Sequence, residues 1–138
     1  MEYGFDIING NKVQQMIING DHELLNKHEG TIHVESGTLK IAGEVSGTLD
    51  VQMNTKVIIL GKQRGTVSIA ENGNVEVFGK LYGTVSVSQG GTLIIHRGAK
   101  VFGTLSNNGE VVVRGELNGV QTGIGSVHIE DNGYIRTQ

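Results

Sequence analysis

The chain has 138 residues, enough for one domain with a modest core and too few for two. Glycine supplies 22 of them, proline and cysteine none and aromatic residues 4%, which excludes a collagen, a disulfide scaffold or a thiolate metal site and disfavours long helices. A formal net charge of -3 gives no general attraction for nucleic acid or anionic lipid.

In chain order, residues 1–29 lack the regularity of the remaining chain. Val13, Met16 and Ile17 have helical spacing with Gly20 as a stop, so this segment is expected to be an N-terminal cap, either a short helix or an irregular strand. Met1 is followed by Glu2 and Asp6 rather than by a basic, apolar leader, and no apolar run reaches membrane-spanning length. The expectation is a cytoplasmic protein with no membrane span.

From residue 30 to 138 a repeat dominates. Leu39, Val57, Val75, Leu93 and Val111 recur with a step of 18, and Ile41, Ile59, Val77, Ile95 and Val113 come two places later, the alternation of a strand with one buried face. A second strand carries Leu49 and Val51, Val67 and Ile69, then Val85 and Val87. Its next member slips to Leu105 through a two-residue insertion around RGAKVFG, cancelled by a shortening at SNNG. Val45, Leu81 and Leu117 mark a short third side. Gly43, Gly61, Gly79 and Gly115 come after one strand and Gly47, Gly65 and Gly83 precede the other, as corners require where a side chain would clash or φ is positive. These features predict an all-β, single-domain parallel β-helix: a triangular β-solenoid of about 18 residues per winding, with about six windings making a rod about 29 Å long. A sandwich or barrel of hairpins would not need register at that step. At the far end, Val127, Ile129 and Ile135 suggest a last winding without a polar cap.

The outward positions fall into columns. Lys40, Ile58, Glu76, Ile94 and Val112 share one face, flanked by Ala42, Leu60, Phe78, His96 and Arg114. Ile58, Leu60, Phe78, Ile94 and Val112 are expected to form an outward apolar patch, either a contact surface or a seat for the N-terminal segment. A second column runs Glu44, Lys62, Lys80, Lys100 and Glu116, beside Arg64, Tyr82 and Phe102, and reads as a solvated face that discourages sideways association. Thr48, Thr66, Thr84 and Thr104 stand beside Asp50, Ser68, Ser86 and Ser106. Ice-binding solenoids carry flat threonine ladders, but here serine and Asp50 replace the second threonine, and hydroxyl pairs of this kind are ordinary sheet stabilisers.

No catalytic pattern emerges. His22, His28, His33, His96 and His128 share no column and read as isolated surface histidines, so no metal or cofactor is expected. His96 invites comparison with hexapeptide acyltransferases, whose repeat places an aliphatic residue at every sixth position; that step is absent. Glu71, Glu76, Glu110 and Glu116 lack the long loops with which solenoid polysaccharide enzymes build a cleft. Neither GIGS at Gly123 nor GG at Gly90 has the strand, helix and lysine context of a phosphate loop.

The phrases LKIAGEVSGTLDV, VEVFGKLYGTVSV and VVVRGELNGV resemble the windings of bactofilins, over roughly residues 30–120. The resemblance implies a right-handed triangular β-helix that polymerises without nucleotide as part of a bacterial cytoskeleton. Bactofilins generally carry disordered, often proline-containing tails, whereas this chain has no proline. Two functions are expected as alternatives. One is a non-enzymatic assembly protein that self-associates end to end, through Leu39 or Val127 and their neighbours, or through an apolar face. The other is a small acidic inhibitor, such as an immunity protein that covers a toxin, binding through Ile58, Leu60, Phe78, Tyr82, Ile94, Phe102 and Val112. Both make the partner a protein, and neither needs nucleic acid or a cofactor.

Overall fold

The computed structural model describes residues 5–136. Among them are strands and turns and no helix, so none is long and apolar enough to cross a membrane. The chain opens with β1 (Phe5–Ile8) and β2 (Asn11–Gln14), an antiparallel hairpin that forms a sheet of its own. Its turn is Asn9-Gly10, with φ of 52° and 80°, the paired positive values that a two-residue type I′ turn requires. The helical spacing of Val13, Met16 and Ile17 therefore does not produce a helix. These residues lie in β2 and in β3 (Met16–Asn19), because the hairpin turn and the parallel pairing of β3 outweigh a three-residue pattern.

Parallel pairing begins at Met16. The strands β3, β4 (His22–Leu24) and β5 (Lys27–Glu29) form a first winding, stacked on β6 (Ile32–Ser36), β7 (Thr38–Ile41) and the start of β8 (Glu44–Val51). Residues 5–29 thus divide into a hairpin and a rung that continues the solenoid. After β8 the chain alternates short and long strands: β9 (Lys56–Ile59), β10 (Lys62–Ile69), β11 (Asn74–Val77), β12 (Lys80–Val87), β13 (Thr92–Ile95), β14 (Lys100–Asn107), β15 (Glu110–Val113), β16 (Glu116–Thr122), β17 (Ser126–Ile129) and β18 (Tyr134–Arg136). The short strands β4, β7, β9, β11, β13, β15 and β17 form one parallel sheet; the long strands β8, β10, β12, β14 and β16 form the other, extended by the shorter β3, β5 and β6 at one end and β18 at the other, and the two make about seven windings. The winding at 16–29 is the one not anticipated from residue 30 onward.

Each long strand supplies two sides of the triangle. In β10, Arg64, Gly65 and Thr66 are all exposed while Gln63 and Val67 point inward, so the strand turns a corner at the glycine. Gly47, Gly65, Gly83, Gly103 and Gly119 stand in register there. At Gly83, φ is 126° and a Cβ would overlap the Gly65 carbonyl oxygen, so an L side chain is excluded both by conformation and by the rung above.

Inside, the columns pair as the repeat predicts. Leu39, Val57, Val75, Leu93 and Val111 stack directly, as do Ile41, Ile59, Val77, Ile95 and Val113, all essentially without solvent exposure. Val85 sits over Leu105, which shows the two-residue insertion absorbed at His96–Ala99: Ala99 N–H donates to the His96 carbonyl at 3.0 Å, and the Ala99 side chain fills the core. The compensating shortening is closed by Asn107. Its Nδ2 donates to the Ser126 carbonyl and its Oδ1 accepts the Gly109 N–H, both at 3.0 Å.

The third inner column runs His28, Val45, Gln63, Leu81, Val101, Leu117 and Ile135 and carries two polar intrusions. Burial holds the His28 imidazole below its usual range, against the pull of the Asp6 charge. Gln63 is fully buried; its Nε2 donates to the Gly47 and Arg64 carbonyls, but Oε1 has no partner among the described residues. Between Val45 and Leu81 an aliphatic side chain fits the column. Gln63→Leu is therefore expected to raise stability by about 1 kcal/mol, read as a higher urea midpoint with an unchanged slope. Gly83→Ala is expected to lower it by about 2 to 3 kcal/mol in the same measurement.

Candidate functional site

The short-strand face carries the outward column Lys40, Ile58, Glu76, Ile94, Val112 and His128, one residue per rung. Ile58 and Ile94 are half-buried by their neighbours and Val112 is only 8% exposed, whereas Leu60 and Phe78, at the corner beyond the column, are 45% and 44% exposed. At its N-terminal end Ile58 lines a groove of about 430 Å³ with Asp21, His22, Glu23, Thr38 and Lys40.

A polar cluster interrupts this apolar surface. The Glu76 carboxylate accepts Lys56 Nζ at 2.6 Å on one oxygen and His96 Nε2 at 2.7 Å on the other, and the His96 ring stacks on Phe78 with centroids 4.0 Å apart and planes 7° apart. Burial works against ionisation of Glu76, but the hydrogen bonds and charges of Lys56 and His96 outweigh it and hold the carboxyl below its usual range. His96 lies over Phe78 because each directly follows a paired core residue, Ile95 and Val77, one 18-residue winding apart.

The remaining expected contact residues lie round the corner. Tyr82 and Phe102 stand in register on β12 and β14, stacked at 5.3 Å and 8°, with the Arg64 guanidinium over Tyr82 at 5.1 Å. The seven residues thus occupy two sides of the prism: Ile58, Leu60, Phe78, Ile94 and Val112 on one and Tyr82 and Phe102 on the next. The lysine column shares that second side, with Lys62, Lys80 and Lys100 stacked between Glu44 and Glu116.

Among the described residues, the N-terminal segment does not cover the apolar face. Its hairpin binds elsewhere: Asp6 Oδ2 accepts the Thr31 N–H at 2.6 Å, Asp6 Oδ1 accepts the Thr31 hydroxyl at 2.9 Å, and Gln15 Oε1 lies 2.7 Å from His33 Nε2. Residues 22–24 join the short-strand sheet as its first rung instead of lying over it. His33 and His96 are accordingly not isolated surface histidines, since each meets a carboxylate: His33 Nδ1 lies 2.7 Å from Asp50 Oδ2. Pairing across a rung explains this, because residues 17 to 20 apart become neighbours. The step of 17 that separates His33 from Asp50 was the available signal. No group of three potential metal ligands occurs among the described residues.

The C-terminal end has a different character. Val127 and Ile129 continue the Val111 and Val113 columns but are 37% and 56% exposed, and β17 and β18 are the last strands of their sheets, each with one open edge. Ile124, in the preceding turn, is 94% exposed. At the other end Ile18 is buried and Met16 and Leu24 pack against the core. Leu39 is not an end residue; it is fully buried beneath the rung that contains His22.

These features define a parallel β-solenoid with one open apolar end. No family model matches the chain, and no curated protein or solved structure is detectably similar to it.

Because the Glu76 carboxyl is depressed in the folded chain, it contributes stability that is present above the unfolded value near 4.5 and lost as pH falls through the folded one. Glu76→Gln is expected to cost about 1 to 2 kcal/mol at pH 7 and to flatten the acid limb of the stability curve below pH 4.5, measured by urea denaturation across pH 2–7.

Proposed function

We propose that this chain is a non-enzymatic, cytoplasmic assembly protein that associates with further copies of itself through the C-terminal end of its solenoid, as its resemblance to bactofilins implies. The observation that carries the reading is the exposure of Val127 and Ile129. Both occupy core columns, yet among the described residues they stand at an unpaired strand edge. Such an edge presents free backbone donors and acceptors together with apolar surface, and a second strand edge satisfies both needs. The rung at the other end also has open strand edges, in β3 and β4, but it presents His22 and Glu23 and buries Ile18, so it offers less apolar surface.

A second reading rests on Leu60 and Phe78. Aliphatic and aromatic side chains exposed on a rigid face, around a partly desolvated ion pair, suit capture of another protein, such as a toxin neutralised by a small acidic inhibitor.

Light scattering behind a sizing column, with electron microscopy, separates the two. Under the assembly reading the wild type forms particles that persist in high salt, because apolar contacts are weakly screened. The double variant Val127→Asp, Ile129→Asp is then expected to weaken association at least about 100-fold, while Phe78→Asp leaves it unchanged. A wild type that stays monomeric at high concentration overturns the assembly reading. A stable one-to-one complex lost on Phe78→Asp supports the inhibitor instead.

A further inference from the structure

We propose that the N-terminal hairpin is a detachable strap, docked on the solenoid only while His33 carries protons on both ring nitrogens. The argument starts at Asp6. Its carboxylate receives the Thr31 N–H, the Thr31 hydroxyl and, at 3.2 Å, Gln15 Nε2. The Thr31 N–H above all, against the opposing effect of burial, holds the Asp6 carboxyl below its usual range. An ionised Asp6 fixes the Gln15 amide with its NH₂ toward the carboxylate, so Gln15 presents its carbonyl oxygen to His33 Nε2. That nitrogen must then donate.

The opposite nitrogen, Nδ1, lies 2.7 Å from the Asp50 carboxylate, which can only accept and already takes Gln52 Nε2 at 3.2 Å. Nδ1 must donate as well, and an imidazole that donates from both nitrogens is an imidazolium. The surroundings agree in sign. From the hairpin, Asp6 faces the ring through Gln15; from β8 comes Asp50; Glu35 lies two residues along on the same strand; and β3 presents Ile17, which is uncharged. Lys12, paired with Ile7, sits on the exposed outer face of the hairpin.

Losing either proton turns one 2.7 Å hydrogen bond into a contact between two acceptors. The ring is mostly buried, so water does not readily relieve that contact. Among the described residues the hairpin shares no ladder with the solenoid sheets, and Phe5 and Ile7 are exposed while Ile8 is half-buried near Gly30. Thr31, the other anchor, meets the hairpin through Asp6. Release would uncover Thr31, on the rung that precedes the column of Thr48, Thr66, Thr84 and Thr104.

The test combines nitrogen-15 NMR of the histidine rings with hydrogen exchange of the intact chain from pH 6 to pH 9, corrected for intrinsic exchange. At pH 6 both His33 nitrogens are expected to be protonated and the hairpin amides protected. As the ring loses its second proton, protection of residues 5–15 should fall at least tenfold while the solenoid strands stay unchanged. His33→Gln should lose that protection at every pH. Asp50→Asn, whose amide can donate to a neutral ring, should keep the strap docked at pH 9. The proposal is overturned if His33 holds one ring proton while the hairpin is protected, if protection is constant through the ring's titration, or if Asp50→Asn titrates like the wild type. Should His33→Gln fail to fold, the wild-type titration and Asp50→Asn decide the matter.

Discussion

The structure depends on the stacking of one peptide rung on the next at the spacing of a parallel ladder, about 4.8 Å. At that distance a side chain pointing along the axis has no room. The corner glycines are a direct result, since a Cβ at Gly65, Gly83 or Gly103 would enter the carbonyl of the preceding rung. Inward positions face the converse demand: any gap in a column leaves a void that neighbours of fixed height cannot collapse to fill. Aliphatic columns and a glycine column are thus two outcomes of one constraint. Insertions obey it too, because the two extra residues at His96–Ala99 leave the column at Leu105 undisturbed and Asn107 closes the shorter turn that restores the step.

The same stacking creates chemistry that no local segment contains. Residues about one winding apart meet at hydrogen-bonding distance, and the outer faces are held by such contacts. Tyr134 donates to Glu116 at 2.7 Å, Lys56 and His96 converge on Glu76, and Arg114 reaches Glu130 at 2.9 Å. Individually these contacts are modest at an exposed surface. The two histidine contacts differ, because Glu76 and His33 are shielded and multiply bonded.

The rod is also polar along its length. Its first winding buries Ile18, and beside it lies a hairpin with a sheet of its own; its last winding leaves two core columns exposed at an open edge. A stack of equivalent rungs has no intrinsic preference for either end. The difference comes from the non-repeating residues, and it is what makes the C-terminal end the stronger candidate for self-association.

Much of the fold was legible in the residues. The step from Leu39 to Val111, the alternation two places later, the glycine corners and the slip at Leu105 all state which residues share a column, because period and burial are properties of the chain's own order. Other features were not legible. The type I′ turn at Asn9-Gly10 is a strong local signal, yet Val13, Met16 and Ile17 suggested a helix, and three residues cannot separate the two periods. The windings at 16–29 and 32–46 are offset by 16 or 17 residues rather than 18, which hides their kinship with the rest. Pairing across the chain decided the remainder: that His33 lies between Gln15 and Asp50, that Lys56 and His96 converge on Glu76, and that Leu39 is interior while Ile129 is at an end. A periodic sequence determines what stacks upon what. Where the stack begins, where it stops and which side chains meet outside it depend on how the irregular segments close in three dimensions.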